Sequence, residues 1–70
     1  MSSIVKVTEV IAQSEKGFDD AVRNAVKEAA KTIRGIKSVW IDNFNCMVEN
    51  DKIVGYRVNA KISFLVEGHK

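Results

Sequence analysis

Proline is absent from this 70-residue chain, and cysteine, histidine and tryptophan occur once each. A lone cysteine excludes an internal disulfide. One cysteine with one histidine is too few for a closed zinc site. Charge of one sign is also scarce: the net charge is +2, and the basic residues are spread from Lys6 to Lys70. The concentrated basic stripe of a nucleic-acid binder is missing. No apolar run approaches the roughly 20 residues of a membrane span, so no membrane partner is expected. The opening residues, Met1-Ser2-Ser3 before Ile4, have neither the charged nor the apolar region of a signal peptide. A free Cys46 suits a reducing compartment, which predicts a cytoplasmic protein. With no low-complexity tract and no internal repeat, residues 1–70 read as a single domain.

A domain this short leaves much of its surface exposed after folding, so its own core is marginal. Small domains usually add disulfides, a metal or partner chains. Elimination of the first two points to oligomerisation.

Three strands and one helix can be read along the chain. Ile4 to Ile11 is rich in β-branched residues and predicts a first strand, with apolar residues on both faces as in a strand covered on both sides. Ser14 is placed to cap a helix, and Glu15 to meet the positive end of its dipole. Phe18, Ala21, Val22, Ala25, Val26, Ala29 and Ile33 then recur at three- and four-residue steps, one apolar stripe of an amphipathic helix. Its many alanines allow close approach to a sheet. Gly35 is a natural stop. Ser38 to Glu49 predicts a second strand, Asn50-Asp51 a turn, and Lys52 to Glu67 a third strand. Six of the seven even positions from 54 to 66 are purely hydrocarbon and the seventh is Tyr56, so the even face should lie on the helix.

A two-residue loop at Asn50-Asp51 pairs Glu49 with Lys52. Val48 then faces Ile53, Phe44 faces Arg57, and Trp40 faces Lys61. Paired residues share a face. Val39, Ile41 and Met47 join the helix-covered face. Trp40, Phe44, Cys46 and Val48 lie opposite, beside Arg57, Asn59 and Lys61. Asn43 and Asn45 fall on the helix side, which a bulge near them would relieve. The uncovered face would carry an apolar patch that monomers avoid. Strands of a dozen or more residues also span on the order of 40 Å, so the hairpin must curl around the helix or reach beyond its own subunit. Spacing alone leaves three readings of Trp40: an interface anchor, a ligand-stacking ring, or an ordinary aromatic.

The combination of a short strand, the Phe18-Asp19-Asp20-Ala21-Val22-Arg23-Asn24-Ala25 helix, Val39-Trp40, and Tyr56-Arg57-Val58 leading to Ser63-Phe64 resembles the dodecins, from about Val5 to Val66. The resemblance implies an α+β subunit, βαββ, with a three-stranded antiparallel sheet wrapped around one amphipathic helix. It further implies assembly into a hollow homododecamer that binds FMN or riboflavin, with isoalloxazine rings stacked between Trp side chains of symmetry-related subunits. The matching stacking residue is Trp40. Arg57 matches the position, usually Gln, that hydrogen-bonds the flavin, and Asn45 is a further polar candidate. Arg offers donors only. It can donate to a flavin carbonyl, reach the phosphate of FMN, or stack on Trp40 or Phe44 and leave no room for a flavin.

The implied function is flavin storage or sequestration without turnover. The alternative is a dodecin-fold assembly without flavin, serving as a structural particle or binding another small molecule or a cation. A single-stranded nucleic-acid platform built on Trp40 and Phe44 fits the scattered charge poorly. No enzyme is expected: His69 reads as a free terminal residue, Cys46 as a small strand residue, and Asp42, Glu49 and Asp51 as solvated charges.

Overall fold

The computed structural model describes residues 4–66. Within them lie β1 (Val5–Ser14), α1 (Phe18–Ala29), β2 (Ile36–Glu49) and β3 (Lys52–Leu65). The strands form one antiparallel sheet in the order β1-β3-β2. This is the expected βαββ arrangement. His69 lies outside the described residues.

The helix buries its alanines. Ala21, Ala25 and Ala29 sit at four-residue steps, so they form one line along one side of α1. Small side chains let that line settle directly on the even face of β3, where Val58, Ala60 and Ile62 are buried. Val10 and Ala12 of β1, Ile33 of the turn, and Ile36 and Val39 of β2 pack around this centre. The core is narrow, as a 70-residue chain with an alanine helix requires.

Ser14 does not cap the helix. It is still paired with Tyr56 in the β1–β3 ladder, and the chain needs three more residues to turn. Gly17 occupies the cap position and no side chain closes it. The Ser14 hydroxyl instead accepts from the Lys16 N–H at 2.8 Å and donates to Asp20 Oδ2 at 2.6 Å. That hydrogen bond favours the charged form of Asp20 and lowers its pKa, with Lys16 and Arg23 adding to the effect. The regular helix also stops earlier than the apolar stripe suggests. After Ala29 the chain continues in turns, in which the Ile33 N–H still donates to the Ala29 carbonyl at 2.9 Å. That turn delivers Ile33 to the core. Gly35 then takes φ 74°, the left-handed conformation that glycine adopts without strain.

The β2–β3 hairpin opens on Asn50 and Asp51, both at positive φ (51° and 65°). Two such residues twist the chain in the sense a two-residue hairpin needs. Glu49 pairs with Lys52 and Val48 with Ile53 as expected. The register then shifts between Met47 and Val48 and shifts back between Ile41 and Asn43. Val54 is the extra residue of the first irregularity, and Asp42 of the second. Because the two fall on opposite strands they cancel, and Trp40 meets Lys61 as the simple hairpin predicts.

Between the two bulges every β2 side chain changes face relative to the simple register. Phe44 pairs with Val58 and Cys46 with Tyr56, on the helix side. Asn43, Asn45 and Met47 pair with Asn59, Arg57 and Gly55, on the outer side. The placing of Phe44 and Cys46 beside Trp40, and of Met47 on the core side, is therefore corrected. Phe44 packs against Phe18, with ring centroids 4.9 Å apart, and Phe18 against Tyr56 at 5.1 Å. The two asparagines escape the core by the bulge their polarity calls for.

The hairpin also outruns the helix. The described chain extends 56 Å along its longest axis, with a radius of gyration of 14.6 Å, against about 11 Å for a compact chain of this length. The last β1–β3 pair is Ser14 with Tyr56. Val48, Ile53 and Val54 lie beyond it and are exposed.

Two outcomes follow. Ile62→Ala, at the fully buried centre of the core, should cost about 2–5 kcal/mol in urea denaturation at fixed protein concentration. Ser14→Ala should raise the Asp20 pKa in an NMR titration. The hydrogen-bonded carboxylate stabilises the fold above its unfolded-state pKa, and this contribution is lost as pH falls through the lowered folded value.

Candidate ligand-binding surface

The helix covers one face of the sheet and leaves the other open. On the open face lie the odd residues of β1 and β3, since those strands pair odd with odd, together with Trp40, Asn43 and Asn45 of β2. Val5, Val7 and Ile11 are exposed there, and Trp40 is 55% exposed. The apolar patch expected from the sequence is present, without Phe44. The first strand's second apolar face is likewise open in a single chain.

Trp40 sits between charged neighbours. Lys61, its partner on β3, directs its ammonium to Asp42 Oδ2 at 3.4 Å and Glu9 Oε2 at 3.8 Å. These residues and Trp40, with Val7 and Ile41, line a shallow concavity. The bulged position of Asp42 brings its carboxylate within reach of Lys61.

Arg57 forms the second feature. It is flanked by Asn45 on β2 and Gln13 on β1, so three polar side chains run across the sheet in one row. Its Nε donates to Gln13 Oε1 at 2.9 Å and its Nη2 to the same oxygen at 2.7 Å. One amide oxygen thus fixes the plane of the guanidinium. The structure brings Arg57 and Asn45 together on the face that carries Trp40. It does not bring Trp40 into contact with them within one chain. Four residue steps along β3 separate the Lys61 and Arg57 rows, about 13 Å at the usual strand rise. A planar ligand touching both must lie along the strand or take the two ends from different copies.

Gln13 and Glu9 escape a reading of the sequence by motif. Gln13 stands 44 residues from Arg57, and only the β1–β3 register joins them. The available signal was the alternation of β1, which sets Glu9, Ile11 and Gln13 on one side. Among the described residues, no cluster of three or more His, Cys, Asp or Glu is arranged to hold a metal ion, and no helix is long and apolar enough to cross a membrane.

The dodecin family model matches residues 4–67. Among solved structures, dodecin from Streptomyces coelicolor is 31% identical, with a TM-score of 0.89 over 96% of each chain. A variant of T. thermophilus dodecin is 22% identical with a TM-score of 0.90, covering 96% of this chain and 100% of that one. The calcium dodecin of Mycobacterium tuberculosis, described with a novel calcium-binding site, is 22% identical with a TM-score of 0.80, covering 97% of both chains. The comparison with curated proteins returns no match.

The Lys61 cluster is open to solvent, and exposed ion pairs contribute little. Lys61→Ala should therefore change stability by less than about 1 kcal/mol in the same denaturation experiment.

Proposed function

This chain belongs to the dodecin family, and from that premise we propose that it stores or sequesters riboflavin or FMN. Dodecins are small binding and storage proteins, not enzymes. In the proposed assembly, residues 1–70 form one unit of a cytoplasmic homododecamer. Flavin rings stack between Trp40 side chains of symmetry-related copies, and Arg57 and Asn45 meet the polar edge of the ring.

The observation that carries this reading is the exposure of Trp40 on the face the helix leaves open. A planar isoalloxazine needs an aromatic face and a polar edge. Trp40 supplies the first, and the Asn45–Arg57 row supplies the second. Arg57 offers only donors, but Asn45 beside it has both an amide donor and a carbonyl acceptor. The pair can therefore satisfy an imide edge, which presents two carbonyls around one N–H. The Arg57 plane is committed to Gln13, which supports donation at the ring edge over stacking on Trp40.

A cation in place of flavin is less well supported. Glu9 and Asp42, the acids beside Trp40, both direct a carboxylate oxygen at Lys61. The ammonium already stands where a bound cation would gather them.

Titration of riboflavin or FMN with the protein should quench flavin fluorescence and saturate near one flavin per chain. Trp40→Ala should weaken binding at least about tenfold, in line with the cost of losing an aromatic stacking partner. Equal binding by that variant contradicts the stacking arrangement.

A further inference from the structure

We infer that Met47 is an oxidation switch on the open face: peroxide converts its thioether to a sulfoxide, which leaves its seat on Gly55 and competes with flavin for the Arg57 and Asn45 donors. This rests on the flavin reading above and adds to it a control of ligand release.

The seat is particular to this pair. Met47 and Gly55 stand opposite each other across β2 and β3, on the open side. Gly55 is buried, although it lies beyond the last β1–β3 pair. Met47 covers it. A Cβ placed on Gly55 would stand 2.6 Å from the Met47 terminal methyl and 3.9 Å from the Met47 Cβ. The methionine chain therefore folds back over the glycine, into the space a side chain at position 55 would fill. An unbranched, adaptable thioether suits that place. Met47 is itself only half-buried, so one side of it stays open to a small oxidant.

Hydrogen peroxide, which forms when reduced flavin meets dioxygen, supplies the oxygen. A sulfur lone pair attacks one peroxide oxygen. The S–O bond forms as the O–O bond breaks, and sulfur gives up two electrons. The displaced hydroxide takes the proton from the transferred oxygen and leaves as water. A flexible apolar side chain has become a polar one, and its half-buried oxygen needs a hydrogen-bond donor. Asn45 lies two residues along β2 on the same side, and Arg57 is the diagonal neighbour on β3, within reach of a long side chain. Gln13 holds two of the guanidinium N–H groups. The others, with the Asn45 amide, are the donors that the proposed function gives to the flavin edge. A sulfoxide that accepts from them displaces that edge.

The assembled protein should be treated with hydrogen peroxide, and oxidised peptides located by mass spectrometry. Flavin dissociation constants should be measured by quenching before and after treatment, for the wild type, Met47→Leu, Met47→Gln and Gly55→Ala. In the wild type Met47 should gain one oxygen, and flavin binding should then weaken about tenfold, the scale of a lost hydrogen bond to a charged group. Met47→Leu fills the same space without sulfur, so it should bind as the wild type does and keep its affinity through treatment. Met47→Gln carries a carbonyl oxygen from the start and should bind weakly without treatment. Gly55→Ala pushes the methyl off its seat and should speed oxidation of Met47 severalfold. With flavin binding intact at the outset, three results overturn this inference and leave the flavin reading standing. The first is a Met47 that stays reduced while a free methionine peptide in the same solution is oxidised. The second is a Met47 sulfoxide with unchanged flavin affinity. The third is an equal loss of affinity in treated Met47→Leu. An untreated wild type that binds no flavin overturns both readings.

Discussion

One 12-residue helix can shield only one side of a three-stranded sheet. The buried alanines bring α1 close to β3, and the resulting core is compact and small. The remaining face then carries whatever the strands place there. Here that is a tryptophan, three exposed aliphatic side chains of β1, and a central row of amides around an arginine. Leaving such a face in water is unfavourable for a lone chain. The hairpin tip adds Val48, Ile53 and Val54, exposed beyond the end of β1. Both features favour association with further copies, and under the proposed function the same exposure would serve as the ligand surface.

The two compensating bulges of the hairpin decide what that surface contains. Without them Phe44 would stand opposite Arg57 on the open face, and Asn43 and Asn45 would face the helix. With them, Phe44 packs against Phe18 and the asparagines line up with Asn59 and Arg57. Local exchange of five residues converts an aromatic, greasy strip into an amide-rich one. The exchange ends before Trp40, which keeps its outward position. Aromatic face and polar edge thus occupy one side of the sheet in separate rows.

Much of this was legible in the residues. The Ala21, Ala25, Ala29 spacing marks the helix line, Asn50-Asp51 marks the turn, and the even positions of β3 mark its buried side. The unfavourable positions of Asn43 and Asn45 pointed to a bulge nearby. What they could not reveal is that a second bulge at Val54 opens the shifted segment, since nothing in a Val-rich tip distinguishes one register from the next. Ser14 looked like a cap because serine caps many helices, yet pairing with Tyr56 holds it in the strand. The Gln13–Arg57 contact depends on a β1–β3 register set by the whole core, so no local pattern announces it.

The central claim is that copies of the chain close the face on which Trp40 stands. Sedimentation velocity of the purified protein, free of added flavin, tests it most directly. A single closed species with the mass of a dodecamer of the 7.8 kDa chain is the expected result. A lone 7.8 kDa chain that stays folded across the accessible concentration range contradicts it, because the indole would then face water.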